Sequence, residues 1–196
     1  MKKDVAQMFK LGAVLACFAS VACVLLALVN SVTSPRIEQI KANELKSGLQ
    51  EIFADAQDFS IPQGFSKETI NGVSVEQAFL AKDKNGNVIG CAVQATGPTY
   101  DKATILTGVG IDGYIKAIKI LSISDTSGFG QNATKPEFYT QFAGKSINDP
   151  FNPEKGGDID GLSGATITRR GVARILKVST DTAKSILAEA EKGSSK

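Results

Sequence analysis

"GLSGATITRRG", residues 161–171, sets Ser163, Thr166 and Thr168 among glycines 161, 164 and 171, and ends with Arg169 and Arg170. Directly after it, Val172, Ile175, Leu176, Ser179, Ala183, Ile186, Leu187 and Ala190 recur three and four residues apart. That spacing predicts one long amphipathic helix. A helix start exposes unpaired N–H groups and a partial positive charge, so acidic side chains suit its first turn. Arg169 and Arg170 have the wrong sign there unless an anion binds. N–H groups, dipole and both guanidinium groups would then converge on it, and a phosphate is the natural choice. Gly164 and Gly171 would let it approach the backbone. The plainer alternative makes Thr168 an N-cap, the glycines a turn and the arginines solvent-facing.

Upstream the pattern is that of strands. "VSVEQAFLAKDKNGNVIGCAVQA", residues 73–95, reads as two strands around Asn85-Gly86, a hairpin signal, with Cys91 in the core. "GPTY", residues 97–100, breaks the pattern. "ATILTGVGI" and "YIKAIKILSIS" then read as two more strands joined at Asp112-Gly113. A twisted antiparallel sheet follows from this order. Residues 125–145, "DTSGFGQNATKPEFYTQFAGK", give a loop and then a short amphipathic helix with Pro136 near its start.

Residues 11–29 carry no charge. At about 1.5 Å per residue they reach roughly 30 Å as a helix, the thickness of a bilayer's hydrocarbon core. The run is longer than the core of a cleaved signal peptide, and no clear A-x-A site follows it. Lys2, Lys3 and Lys10 precede it, which orients the first residues to the cytoplasm and the remainder outside. The expected organisation is a cytoplasmic N-terminus (1–10), a membrane helix (11–30), a helical linker (31–72), an extracytoplasmic domain (73–191) and a tail (192–196). Within the linker, Pro35 should bend the chain, and Leu45, Leu49, Ile52 and Phe53 should share one helix face. The fold class is α+β: a single N-terminal membrane helix, then a domain with an antiparallel sheet and flanking helices.

Composition removes much chemistry. The 196 residues include no histidine and three cysteines, with a net charge of +2. Ser-His-Asp and Cys-His catalysis, imidazole zinc sites and Cys₄ clusters are excluded, and nucleic acid is not implied. No catalytic residue and no metal are expected. Redox work would need an organic cofactor or a partner's metal.

Residues 160–168, "DGLSGATIT", resemble the D-x-x-S-G-A-T-x-T motif of covalent FMN-binding domains. In that family a flavin transferase takes FMN from FAD and joins its phosphate to the last hydroxyl of the motif. The resemblance therefore implies covalent FMN on Thr168, with Asp160, Ser163, Gly164, Ala165, Thr166, Arg169 and Arg170 around it. A second block, Asp125-Thr126-Ser127-Gly128-Phe129-Gly130 followed by "EFYTQFAGK", resembles the family's E-T-P-G-L-G loop and F-x-x-Q-F-x-G-K segment. It departs by Asp for Glu, Ser127 for Pro and Phe129 for Leu. Thr126, Gly128, Phe129 and Gly130 are thereby implied at the flavin.

Anchor, linker and domain together resemble the G subunits of Rnf complexes, which couple electron transfer between ferredoxin and NAD to Na⁺ or H⁺ movement. An electron-relay role in the cell (inner) membrane is implied. The implied partners are the complex's other membrane subunits, a second flavin carrier among them, and a flavin transferase for maturation. The C subunits of Na⁺-translocating NADH:quinone oxidoreductases share the motif but are usually longer. Taken alone, the residues also allow a membrane-anchored module that holds a phosphorylated ligand reversibly.

Overall fold

The computed structural model describes residues 2–154 and 156–194. The chain divides into two compact units, Met1–Asn43 and Glu44–Lys196. The described residues of the first unit lie within α1 (Lys2–Ile52). Its charge-free run presents apolar side chains outward, with Leu15, Phe18 and Leu26 all at least 70% exposed. Among the described residues, this one helix is long and apolar enough to cross a membrane. Helical bonding satisfies its backbone internally, as hydrocarbon requires. The Ser20 hydroxyl also donates within the helix, to the Ala16 carbonyl at 2.8 Å. Pro35 lies inside α1, so helical backbone continues through the expected bend.

The second unit begins in the last turns of α1. Leu49, Ile52 and Phe53, on the expected common face, are buried against Ala81, Ala92 and Leu106. Residues 31–72 are helical only to Ile52. Beyond it lie β1 (Asp58–Ser60) and β2 (Glu68–Ile70), each pairing antiparallel with β3 (Val73–Lys82). Three-residue strands have too little periodicity to be read from sequence. They exist because β3 offers them an edge.

β4 (Val88–Pro98), β5 (Lys102–Gly110) and β6 (Ile115–Ile123) complete an antiparallel sheet of order β1-β3-β4-β5-β6, with β2 also on β3. Both expected hairpins form, and Gly86 and Gly113 take the positive φ their turns require (81° and 76°). At the first, the Asp83 carboxylate accepts the N–H groups of Asn85 and Asn87. Side chains alternate between two faces. One face packs on the end of α1. The other buries Val75, Cys91, Val93 and Ile105 with Val172, Ile175 and Leu176 of the last helix. Cys91 is a core residue, and burial pushes its thiol up to about 12.

Between sheet and last helix come short turns of helix, including α2 (Pro136–Tyr139) with Pro136 in its first turn. Phe138 and Phe142 are buried there edge to face, their ring centroids 5.6 Å apart. The last helix, α3, spans Thr166–Ser194. It starts before Thr168, so Thr168 lies in its first turn and does not cap it.

Candidate functional site

The start of α3 is pressed onto the end of β4. A Cβ on Gly171 would stand 2.5 Å from the Pro98 carbonyl oxygen and 2.6 Å from the Thr99 Cα. Gly171 therefore serves helix–strand contact, and the expected role of admitting an anion does not hold for it. The loop after β6 meets the same place. Gly128 turns it with φ 78°, and the N–H groups of Phe129 and Gln131 bond back to the Thr126 carbonyl at 3.3 Å.

These segments enclose a cavity of about 420 Å³ lined by Tyr100, Thr126, Phe129, Gly130 and residues 164–168. That size suits a cofactor, since ligand pockets run from roughly 300 to 1,000 Å³. Tyr100 and Phe129 are more than half exposed at it. Gly164 takes φ 71°, a backbone conformation that favours glycine, and a Cβ there would stand 2.9 Å from the Phe129 ring. The first backbone bond into α3 is from the Arg169 N–H to the Ala165 carbonyl, at 3.0 Å. The N–H groups of residues 166–168 precede it and have no helical acceptor, and α3 has no acidic residue in its first turn. Free N–H groups beside exposed aromatic rings can hold the phosphate and the planar ring system of a flavin mononucleotide.

The three hydroxyls of the motif differ sharply. Ser163 and Thr166 are exposed, and only Thr166 of these two lines the cavity. Thr168 is 1% exposed, and its hydroxyl donates to Asp125 Oδ2 at 2.5 Å. Asp125, 2% exposed, also accepts the Thr99 hydroxyl at 2.5 Å and the N–H groups of Asp101 (2.9 Å) and Tyr100 (3.3 Å). Burial acts most strongly on its carboxyl, upward, but the four donors together hold it below the ordinary carboxylate range.

The arginines turn away from the cavity. Arg170 makes a two-pronged pair with Glu154, at 2.9 and 3.0 Å. Arg169 is half-buried beside Gly161, with one terminal guanidinium nitrogen 3.5 Å from where a Cβ would stand. Both side chains reach back over the preceding loop, and neither lines the cavity. Asp160 is also outside it, exposed, with its N–H on the Gln141 side-chain oxygen at 2.6 Å. The Lys145 ammonium donates to the Asp158 carbonyl, also at 2.6 Å. The second block's Gln141 and Lys145 thus fasten the loop that leads into the motif. Ala165, Thr126, Phe129 and Gly130 line the cavity.

Sequence reading left out Thr99, Tyr100 and the carboxylate of Asp125. Tyr100 fell in a stretch legible only as a break. The partners of Asp125 stand 24 to 43 residues away along the chain, beyond any local pattern.

Residues 1–52 match the RnfG N-terminal region and residues 100–180 the FMN-binding domain. The G subunit of an ion-translocating oxidoreductase complex from Methanosarcina acetivorans is 29% identical over 180 residues, covering 91% of this chain and 95% of that one. The G subunit of the Na⁺-translocating ferredoxin:NAD⁺ oxidoreductase complex from Acetobacterium woodii is 32% identical over 180 residues, covering 84% and 86%. Among solved structures, NqrC of Shewanella oneidensis shares the fold, with a TM-score of 0.52 at 18% identity over 71% of this chain and 73% of that one. An RnfG-type N-terminal region, an FMN-binding domain and relatives aligned over most of both chains place this chain in the RnfG family, the G subunits of ion-translocating oxidoreductase complexes.

Proposed function

We propose that this chain is an electron-relay subunit of an Rnf-type ferredoxin:NAD⁺ oxidoreductase complex, carrying FMN as a phosphoester on Thr166. The motif reading placed the ester on Thr168. The observation that carries the reassignment is the contrast between the two hydroxyls: Thr166 is exposed at the cavity, whereas Thr168 is buried and bonded to Asp125. An acceptor hydroxyl has to reach a phosphorus held by a separate transferase, and burial works against that. In the attachment step the Thr166 oxygen bonds to the flavin-side phosphorus of FAD. The pyrophosphate linkage breaks, AMP leaves and the hydroxyl proton is released.

Bound flavin exchanges one or two electrons and would supply the subunit's redox chemistry. The free N–H groups at the start of α3 hold the phosphate, and Tyr100 and Phe129 flank the ring. The ester keeps the cofactor from being lost outside the cell. The lysines before the apolar run orient residues 1–10 to the cytoplasm and the flavin domain to the other side. The other membrane subunits, including a second flavin carrier, exchange electrons with it, and a flavin transferase matures it.

Peptide mass spectrometry on the full chain coexpressed with a flavin transferase tests the attachment. FMN is expected on the peptide at Thr166, and Thr166→Val should abolish covalent yellow colour that otherwise survives denaturation. FMN mapped to Thr168 or Ser163 would return the assignment to those hydroxyls. Colour lost on denaturation would favour a module that binds its ligand reversibly.

A further inference from the structure

The cavity has three walls, and all meet at Asp125: two are hydrogen-bonded to its carboxylate and the third is the loop that begins with it. The turn between β4 and β5, which carries Tyr100, reaches Asp125 through the Thr99 hydroxyl and the N–H groups of Tyr100 and Asp101. The start of α3, which carries Thr166, reaches it through the Thr168 hydroxyl. The loop with Phe129 begins at Asp125 itself and closes over it at Gly130. A Cβ on Gly130 would stand 2.5 Å from the Asp125 Cβ and 2.6 Å from the Thr168 hydroxyl.

We propose that Asp125 is the positioning residue of the flavin site: its buried carboxylate holds the acceptor Thr166 and the rings of Tyr100 and Phe129 in register around one cavity. This rests on the reading of Thr166 as acceptor. The chemistry requires a carboxylate. Its two oxygens each take one backbone N–H, Asp101 on Oδ1 and Tyr100 on Oδ2, and one hydroxyl, Thr99 and Thr168 respectively. An asparagine of the same shape offers one oxygen and one NH₂. In either orientation the NH₂ would face a backbone N–H, which cannot reverse its role as a donor. Four hydrogen-bond donors surround the charge. A buried charge is costly unless its donors are supplied, so all three segments are drawn to it. Thr168 is then a strut between the acceptor's helix and the carboxylate.

The test uses the purified full chain in detergent, a flavin transferase and FAD, with attachment followed by intact mass. Asp125→Asn should lower the rate of attachment roughly 10–100-fold, the scale of a displaced reacting group. Any flavin that does attach should fluoresce more brightly than in the unsubstituted protein, because Tyr100 and Phe129 no longer flank it in register. Phe53→Ala, on the opposite sheet face, controls for lost stability and should leave the emission of attached flavin quenched. Should Asp125→Asn fail to fold, Thr168→Val and Thr168→Ser carry the test. Valine removes the donor and should slow attachment, and serine restores it and should recover most of the rate. Attachment at the unsubstituted rate with quenched emission in Asp125→Asn overturns the proposal, as does equal behaviour of the valine and serine variants. Failure of the Thr166 reading has a different signature: flavin on another residue, or flavin still accepted by Thr166→Val.

Discussion

At Asp125, burial and hydrogen bonding act in opposite directions, and the net result is a carboxyl held below its ordinary value. In the unfolded chain this carboxyl titrates near pH 3.9. Because the folded value is the lower one, the linked stabilisation is fully present above the unfolded value and is lost as pH falls through the folded one. Denaturation midpoints of the full chain should fall more steeply below about pH 4 than those of Asp125→Asn. Parallel profiles would mean that the carboxylate contributes nothing across that window. Thr168 shows how much residue type alone leaves open. Three hydroxyls within six positions look interchangeable in sequence, yet one is buried and donating while another faces a cavity.

The element scale concerns how α3 is seated. Gly171 lets its second turn lie on the carbonyl of Pro98, so Gly171→Ala must push helix from strand. Overpacking of this kind costs about 1–3 kcal/mol, readable as a lower denaturation midpoint. On the other sheet face Phe53 closes the smaller core, where Phe53→Ala should cost about 3–5 kcal/mol. Arg170 behaves differently. Its guanidinium is exposed and committed to Glu154, away from the cavity. Arg170→Gln should therefore change covalent flavin content by less than about twofold, as expected for an exposed pair. A severe loss of flavin in that variant would restore the arginine to the phosphate. Electrostatics along the helix correctly flagged two cations as unusual in a first turn. The loop before the helix, with Glu154, supplies the negative partner that helix electrostatics alone would assign to a ligand.

For the whole molecule the testable question is which side of the membrane holds the flavin. Cys91 is buried with its thiol pushed up to about 12, so it should stay silent toward thiol reagents. With Cys17 and Cys23 replaced by alanine, a single cysteine introduced near the C-terminus gives a clean reporter. An impermeant maleimide should label it on intact cells. Labelling only after lysis would invert the proposed orientation. The same full-length background suits the attachment assays, because the family match covers the anchor region and the domain separately.

Sequence by itself determined what depends on neighbours along the chain. The membrane-length helix follows from an uninterrupted apolar run, the hairpins from Asn-Gly and Asp-Gly, and α3 from its spacing of apolar residues. The flavin motif was legible for the same reason, since its residues lie within one short segment. Tertiary structure alone decided which hydroxyl is free, where the arginines point and what Asp125 does. Thr99, Asp125 and Thr168 come from a strand end, a loop and a helix, and only the packing of α3 across the end of β4 brings them within one hydrogen bond of each other. Burial and donor pairing are properties of that assembly, so no pattern confined to one segment can carry them.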